Sequence, residues 1–202
     1  METLSVAVNG VAELSKKRKE PKWLLEYRQR NFEIFFSKPL KKSMYFNIQQ
    51  LEALLLAPTS AEFSIPKGLE KTGAMVFTWP EALKLIPEKL MEIFSNEQAP
   101  RDQFEAFINA WFNSGFVLVV GENVSEEKIL FESVFSKNAV GKILVIAENS
   151  QKEILIEETL RGKEKLLLNE TIFISENSNV SILRVHENSD DCSALLNQQA
   201  IL

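Results

Sequence analysis

Two different spacings of apolar residues divide this chain. Between residues 20 and 115 they recur every three or four positions. Glu20-Pro21 opens the first such segment, and proline suits a helix start because the N–H it lacks would have no partner in the first turn. Trp23, Tyr27 and Ile34, with Leu24, Phe32, Phe35 and Phe36 offset beside them, make a broad apolar face at helical spacing, and Pro39 stops it. Residues 48–56 fit a short helix or an extended arm, and 59–71 reads as irregular. A short apolar piece at 74–78 reads as a strand. Pro80 starts another helix through Ala82, Leu83 and Ile86. Pro87 breaks or restarts it, and Leu90, Ile93 and Phe94 continue the pattern. The clearest helix follows, with Phe104, Phe107, Ile108, Trp111 and Phe112 on one face. Asp102 stands at its N-cap or in its first turn, and Gly115 is expected to close it as a left-handed cap.

After Gly115 the period changes. Runs rich in Val, Ile, Leu and Phe at 116–120, 129–135, 142–147, 153–158, 171–175 and 180–186 read as strands. No helix-length amphipathic segment separates them, which argues against βαβ winding. The runs repeat. Val117-Leu118-Val119-Val120-Gly121-Glu122-Asn123 matches Ile143-Leu144-Val145-Ile146-Ala147-Glu148-Asn149 at an offset of 26, and Glu176-Asn177 lies 28 beyond Glu148-Asn149. Each copy is an apolar strand, a Glu-Asn corner and a second strand. Asparagine tolerates left-handed backbone at tight corners, which accounts for Asn123, Asn149 and Asn177 without chemistry. A strand-only repeat of this length predicts a solenoid whose stacked rungs bury a continuous interior. A β-sandwich with coincidental spacing is the alternative on pattern alone.

Composition narrows the functional classes. The 202 residues are 45% hydrophobic and 25% charged, with seven Gly and seven Pro, as in an ordinary globular protein able to bury a core without staples. A net charge of −5 argues against a partner held through nucleic-acid phosphates. The basic cluster Lys16, Lys17, Arg18, Lys19 and Lys22 reads as a solvated helix entrance. No apolar run has the length of a membrane span, and the first ten residues lack a basic start and a strong apolar run, so a cytoplasmic protein is expected.

The order of segments resembles the SufB/SufD family of iron–sulfur cluster assembly proteins. Lys19-Glu20-Pro21-Lys22-Trp23-Leu24-Leu25-Glu26-Tyr27-Arg28, followed by Phe32, Phe35 and Pro39, resembles that family's helical opening. Val76-Phe77-Thr78 with Glu81-Ala82-Leu83 is similar to a SufD-type linker. The stretch from Phe104 through Asn113-Ser114-Gly115 to Val120 resembles the short helix that enters the first β-helix strand, and residues 143–148 and 170–187 resemble the first full rungs. The match touches most of the chain from about Ser15. Gly121-Glu122-Asn123 stands where the family has a Pro-Lys-Gly turn.

The resemblance implies an α+β fold. A helical domain with linker would span 1–114, and a right-handed parallel β-helix of about three rungs would span 115–202. It implies a non-catalytic scaffold subunit of Fe–S cluster assembly, SufD-like by its linker. Its partners would be a SufC-type ATPase and another SufB/SufD-type chain. In the family the Cys, His and Glu residues proposed for assembly lie beyond the equivalent of Leu202, so the sequence reads as a front half. No cofactor is expected in this chain; the Fe–S cluster belongs to the complex. The alternative is a β-helix interaction module without cluster chemistry. A β-helix stopped mid-stack exposes strand edges, which predicts a homodimer through the C-terminal rungs.

Few residues could carry chemistry. His186 and Cys192, the single histidine and single cysteine, with Glu187, Asp190 and Asp191 nearby, could ligate Fe or Zn. An ordinary rung corner is the plainer reading, and no metal site is expected. Neither a serine triad nor a glycine-rich phosphate loop can be built. Glu157-Glu158 and Glu126-Glu127 are adjacent, so in a strand their side chains point to opposite faces, as on a solvated edge. Trp23, Trp79 and Trp111 sit at core-packing spacing.

Overall fold

The computed structural model describes residues 2–37, 69, 72–135, 139–150, 153–162, 166–187 and 194–201. Pro39, residues 48–56, most of 59–71 and Cys192 lie outside them. The described residues form five helices and eight strands, an α+β arrangement in which a helical layer covers one of two sheets.

The first helix, α1 (Glu2–Arg18), lies before the segments that apolar spacing marked as helical. It is seated by Val11 and Leu14, which are buried, and by Gly10, where an added Cβ would lie 2.5 Å from the Trp111 ring. The cluster Lys16, Lys17 and Arg18 is therefore the last turn of α1, where cations complement the helix dipole, and not a helix entrance. Arg18 is half-buried and donates to the Asn113 carbonyl. After Lys19, at φ 54°, the chain enters α2 (Lys22–Ser37). Arg28 of α2 is fully buried. Its guanidinium forks onto Glu20, with Nε to Oε2 and Nη2 to Oε1 both 2.8 Å, and Nη1 reaches the Ala110 carbonyl at 3.0 Å. It also lies 3.9 Å from the centroid of the Phe112 ring. Such a bidentate pair fixes the entry to α2 against the helix that carries Ala110.

The strand β1 (Met75–Thr78) leads directly into α3 (Trp79–Leu85), and Pro87 restarts the chain as α4 (Pro87–Asn96). The helix α5 (Gln103–Trp111) is capped by Asp102, whose carboxylate accepts from Glu105 N–H at 3.0 Å. It ends at Trp111. Gly115 is not its cap but a residue of β2 (Ser114–Val120), at φ 110°, where any Cβ would sit 1.9 Å from the Lys142 carbonyl oxygen. The glycine is required by the close approach of two strands.

From β2 onward successive strands alternate between two sheets. They are β3 (Lys128–Phe135), β4 (Ala139–Ala147), β5 (Glu153–Gly162), β6 (Leu166–Ile174), β7 (Asn179–His186) and β8 (Ala194–Ile201). One sheet has the order β1-β2-β4-β6-β8 and the other β3-β5-β7. Every pair is parallel except β1, which caps β2 antiparallel. Register follows the repeat: Ile129, Ile156 and Ile182 stand in one row, and Phe116, Ile143, Glu170 and Gln198 in another. Phe116, rather than Val117, is opposite Ile143, so the first offset is one residue longer than the matched strings suggest. Asn149 (φ 51°) and Asn177 (φ 61°) occupy left-handed corners, whereas Asn123 does not; beside it Gly73 takes the positive φ.

Two cores result. One lies between the sheets, built from Phe116, Leu118, Ile129, Phe131, Ile143, Val145, Ile154, Ile156 and Leu168. The other lies between the helices and the outer face of the larger sheet and joins Leu24, Leu90, Ile93, Phe94 and Phe107 to Val117, Leu144 and Leu167. It crosses the expected boundary at residue 114, as does the pairing of β1 with β2. No described helix is long and apolar enough to cross a membrane.

Candidate functional site

Each core holds a buried ionic cluster. In the seam between helices and sheet, Lys142 of β4 points at the helical layer. Its ammonium donates to Glu97 Oε1 at 2.6 Å, Asn109 Oδ1 at 2.9 Å and the Tyr27 oxygen at 3.2 Å. Those three bonds use all its protons. Glu97, just past α4, also accepts from Thr171 Oγ1 at 2.9 Å, from Gln199, and from the Tyr27 hydroxyl. Asn109 receives Asn169 Nδ2 at 2.8 Å, and Asn169 in turn receives Asn197 Nδ2 at 2.8 Å, so a ladder of amides runs across β6 to the edge strand. Burial lowers the Lys142 pKa, opposed by the Glu97 charge. Burial and then the Glu97 carboxylate hold Tyr27 well above the usual phenol range. Every group on Lys142 and Glu97 is engaged, and this cluster fastens the helices to the sheet in one register.

The second cluster lies between the sheets, near the last strands. Arg184 of β7 donates from Nε to Glu158 Oε2 at 2.7 Å and from Nη1 to Glu170 Oε2 at 2.8 Å, with Nη2 shared between the two carboxylates. Gln198 Nε2 adds a bond to Glu170 Oε2 at 2.7 Å. Both carboxylates are buried, and Arg184 is mostly so. Burial raises the Glu158 pKa, opposed by the Arg184 charge. Burial alone would lower Arg184, but Glu158 and Glu170 together hold it above its ordinary value. The Ser133 hydroxyl faces Glu158 closely enough to favour its ionised form but outside hydrogen-bond geometry.

Of the residues that sequence reasoning singled out, His186 is described and exposed at the end of β7. Its pKa is lowered, first by burial and then by the nearby Arg184 charge, against Glu170. Cys192, Asp190 and Asp191 are outside the described residues. Glu157 and Glu158 do point to opposite faces, but only Glu157 is on a solvated edge, with Lys128 2.7 Å away. Glu158 is inside. Trp79 is buried and donates Nε1 to the Lys142 carbonyl at 2.9 Å, as core packing requires. The ionic residues Arg28, Glu97, Lys142, Glu170 and Arg184 were missed. Lys142 and Arg184 each interrupt an apolar strand run, which is the signal that could have found them.

The other feature open to partners is the terminal edge of both sheets. The strand β4 is buried along its whole length, whereas no residue of β7 is fully buried. Leu183 and Val185 are exposed on its outer side. Among the described residues β7 is the outer strand of its sheet, and an outer strand that carries exposed apolar side chains is a template for strand addition. No family model and no curated protein matches this chain.

Proposed function

We propose that this chain is a non-catalytic scaffold subunit of iron–sulfur cluster assembly, of the SufB/SufD kind and nearer SufD. Its two alternating sheets are read as a parallel β-helix of about three rungs, right-handed as parallel crossovers are in nearly all known cases. The observation that carries the reading is the constant register of 26–28 residues between stacked strands, preceded by a helical layer that feeds β2 through Asn113-Ser114-Gly115. The buried Glu20–Arg28 fork gives the opening helical segment a structural role consistent with that lineage. The partners are a SufC-type ATPase and a second SufB/SufD-type chain in the cytoplasm, and the chain pairs with itself through its C-terminal edge. Substrate iron and sulfide belong to the assembled complex.

The second reading is a β-helix interaction module without cluster chemistry. It is favoured by the way the chain's own side chains occupy the seam cluster, which leaves its lysine and carboxylate nothing to offer a ligand. Affinity purification of the tagged chain from its own organism separates the two. Stoichiometric recovery of a SufC-type ATPase or a SufB/SufD-type chain supports the scaffold. Recovery of unrelated partners, with neither of these, overturns it.

A further inference from the structure

The cluster between the sheets holds two carboxylates against one guanidinium, and it serves them unequally. Arg184 forks onto Glu170, with Nη1 on Oε2 at 2.8 Å and Nη2 on Oε1, and Gln198 Nε2 adds a third bond to Oε2 at 2.7 Å. Both oxygens of Glu170 are therefore engaged, as an ionised carboxylate removed from water requires. Glu158 receives Nε at 2.7 Å and Nη2, but both come to Oε2. Its Oε1 has no hydrogen-bond partner among the described residues, although the side chain is only 1% exposed.

The elements packed around that oxygen bring it no further charge of opposite sign. On β3, Phe131 stands opposite Glu158 in the same row, and Ser133, buried and with its own hydroxyl unpartnered, lies two residues along the same inward face. On β5 the inward neighbours are Ile156 and Leu160. The strand β6 brings Glu170, and β8 the neutral Gln198. The strand β7 brings Arg184 and then His186, which shares a row with Ser133 and Leu160 and feels the charges of Arg184 and Glu170. Two carboxylates and one guanidinium leave a net charge of −1 in the interior, and an uncompensated buried charge is the costly case. A Ser133 hydroxyl turned toward Oε1 would supply one dipole and leave that charge in place. A proton on Oε1 removes the charge and gives Ser133 a donor as well.

We propose that Glu158 is a proton-binding site of the two-sheet interior: Oε1 carries the proton and donates it to Ser133 Oγ, while Glu170 and Arg184 stay ionised. The electrostatics act in the same direction. Burial raises the Glu158 pKa, opposed by Arg184 and Ser133 and reinforced by Glu170. A folded pKa above that of the unfolded glutamate means that the folded chain holds the extra proton between the two values. The stability this contributes is full below the unfolded pKa and is lost as the pH rises through the folded one, by up to about tenfold in the folding constant per pH unit. Ionisation there sets β5 against β6, which lie in opposite sheets, so the joint between the sheets loosens as the pH rises.

The test is infrared titration of the full chain, with urea unfolding over the same pH range. The wild type should show a protonated-carboxyl band that persists above the ordinary carboxylate range. Glu158→Gln keeps a neutral donor in the proton's place, so it should fold, remove the band and flatten that part of the pH dependence of stability. Glu170→Gln should move the titration of the band down by at least about one unit, a tenfold loss of proton affinity, because Arg184 then has Glu158 as its one counter-ion. A wild-type spectrum with no protonated carboxyl above the ordinary range overturns the proposal without any variant. A band that Glu158→Gln leaves in place overturns it too, as does stability that varies with pH alike in the wild type and Glu158→Gln.

Discussion

At the scale of single residues, the chain spends its buried charges on fixing elements to one another. Lys142 and Glu97 are both almost wholly removed from water. Breaking such a pair on one side leaves the other charge stranded. Lys142→Met should therefore cost about 3–5 kcal/mol in urea unfolding, while the double variant Lys142→Met/Glu97→Gln should recover a large part of that loss. If the double variant is as unstable as the single one, the stranded carboxylate is not the cause. Tyr27 provides a pH signature. Its folded pKa is raised by burial and by Glu97, above that of the unfolded phenol, so its contribution is full below about pH 10 and falls as the pH rises further. Lys142, with a lowered pKa, acts in the opposite sense, so the comparison must isolate the phenol. Tyr27→Phe is expected to be less stable at neutral pH yet to lose less stability than wild type above about pH 10. Parallel alkaline slopes for the two proteins would contradict this. None of these contacts is legible in sequence, because a lysine amid Val140, Gly141 and Ile143 says only that something must neutralise it, not which of the chain's 28 acidic residues does so.

At the scale of elements, legibility followed periodicity. The α2 to α5 helices and seven of the eight described strands lie where apolar spacing placed them, because there the local pattern and the tertiary faces agree. The exceptions are physical. The helix α1 precedes the segment over which apolar spacing was read, although its Leu4, Val8, Val11 and Leu14 stand at helical spacing, and it is held by Gly10 against Trp111 and by Arg18 on the Asn113 carbonyl. The strand β8 contains Asn197-Gln198-Gln199, which breaks the apolar pattern. It is a strand because those side chains continue rows that run through Lys142, Ile143 and Leu144 and are already polar at Asn169, Glu170 and Thr171. Corners were read by residue type alone, and that reading treats three asparagines alike. Only two have left-handed backbone, for which a side chain branched at Cβ without asparagine's local hydrogen bonding costs roughly 1–2 kcal/mol. Asn149→Val and Asn177→Val should each lower thermal stability by about that amount, and Asn123→Val should lower it less. Equal losses at all three corners would show that the turns are held by something other than backbone conformation.

At the scale of the whole molecule, order is graded along the stack. The strand β4 has neighbours on both sides, the helical layer above and the second sheet below, and all nine of its residues are buried. Toward β7 and β8 the cover thins, and the interior changes from isoleucine rows to Glu158, Arg184, Glu170 and Gln198. Stacked architectures are stabilised by nearest-neighbour interfaces, so a terminal strand with one neighbour opens more readily than a middle one. Native-state hydrogen exchange should therefore find the slowest amides in β4 and β6 and the fastest in β7 and β8, with a gap of at least about 2 kcal/mol in opening free energy between the extremes. Protection as high in β8 as in β4 would mean that the Arg101 bond to the Gln198 carbonyl and the amide ladder make the whole larger sheet one cooperative unit.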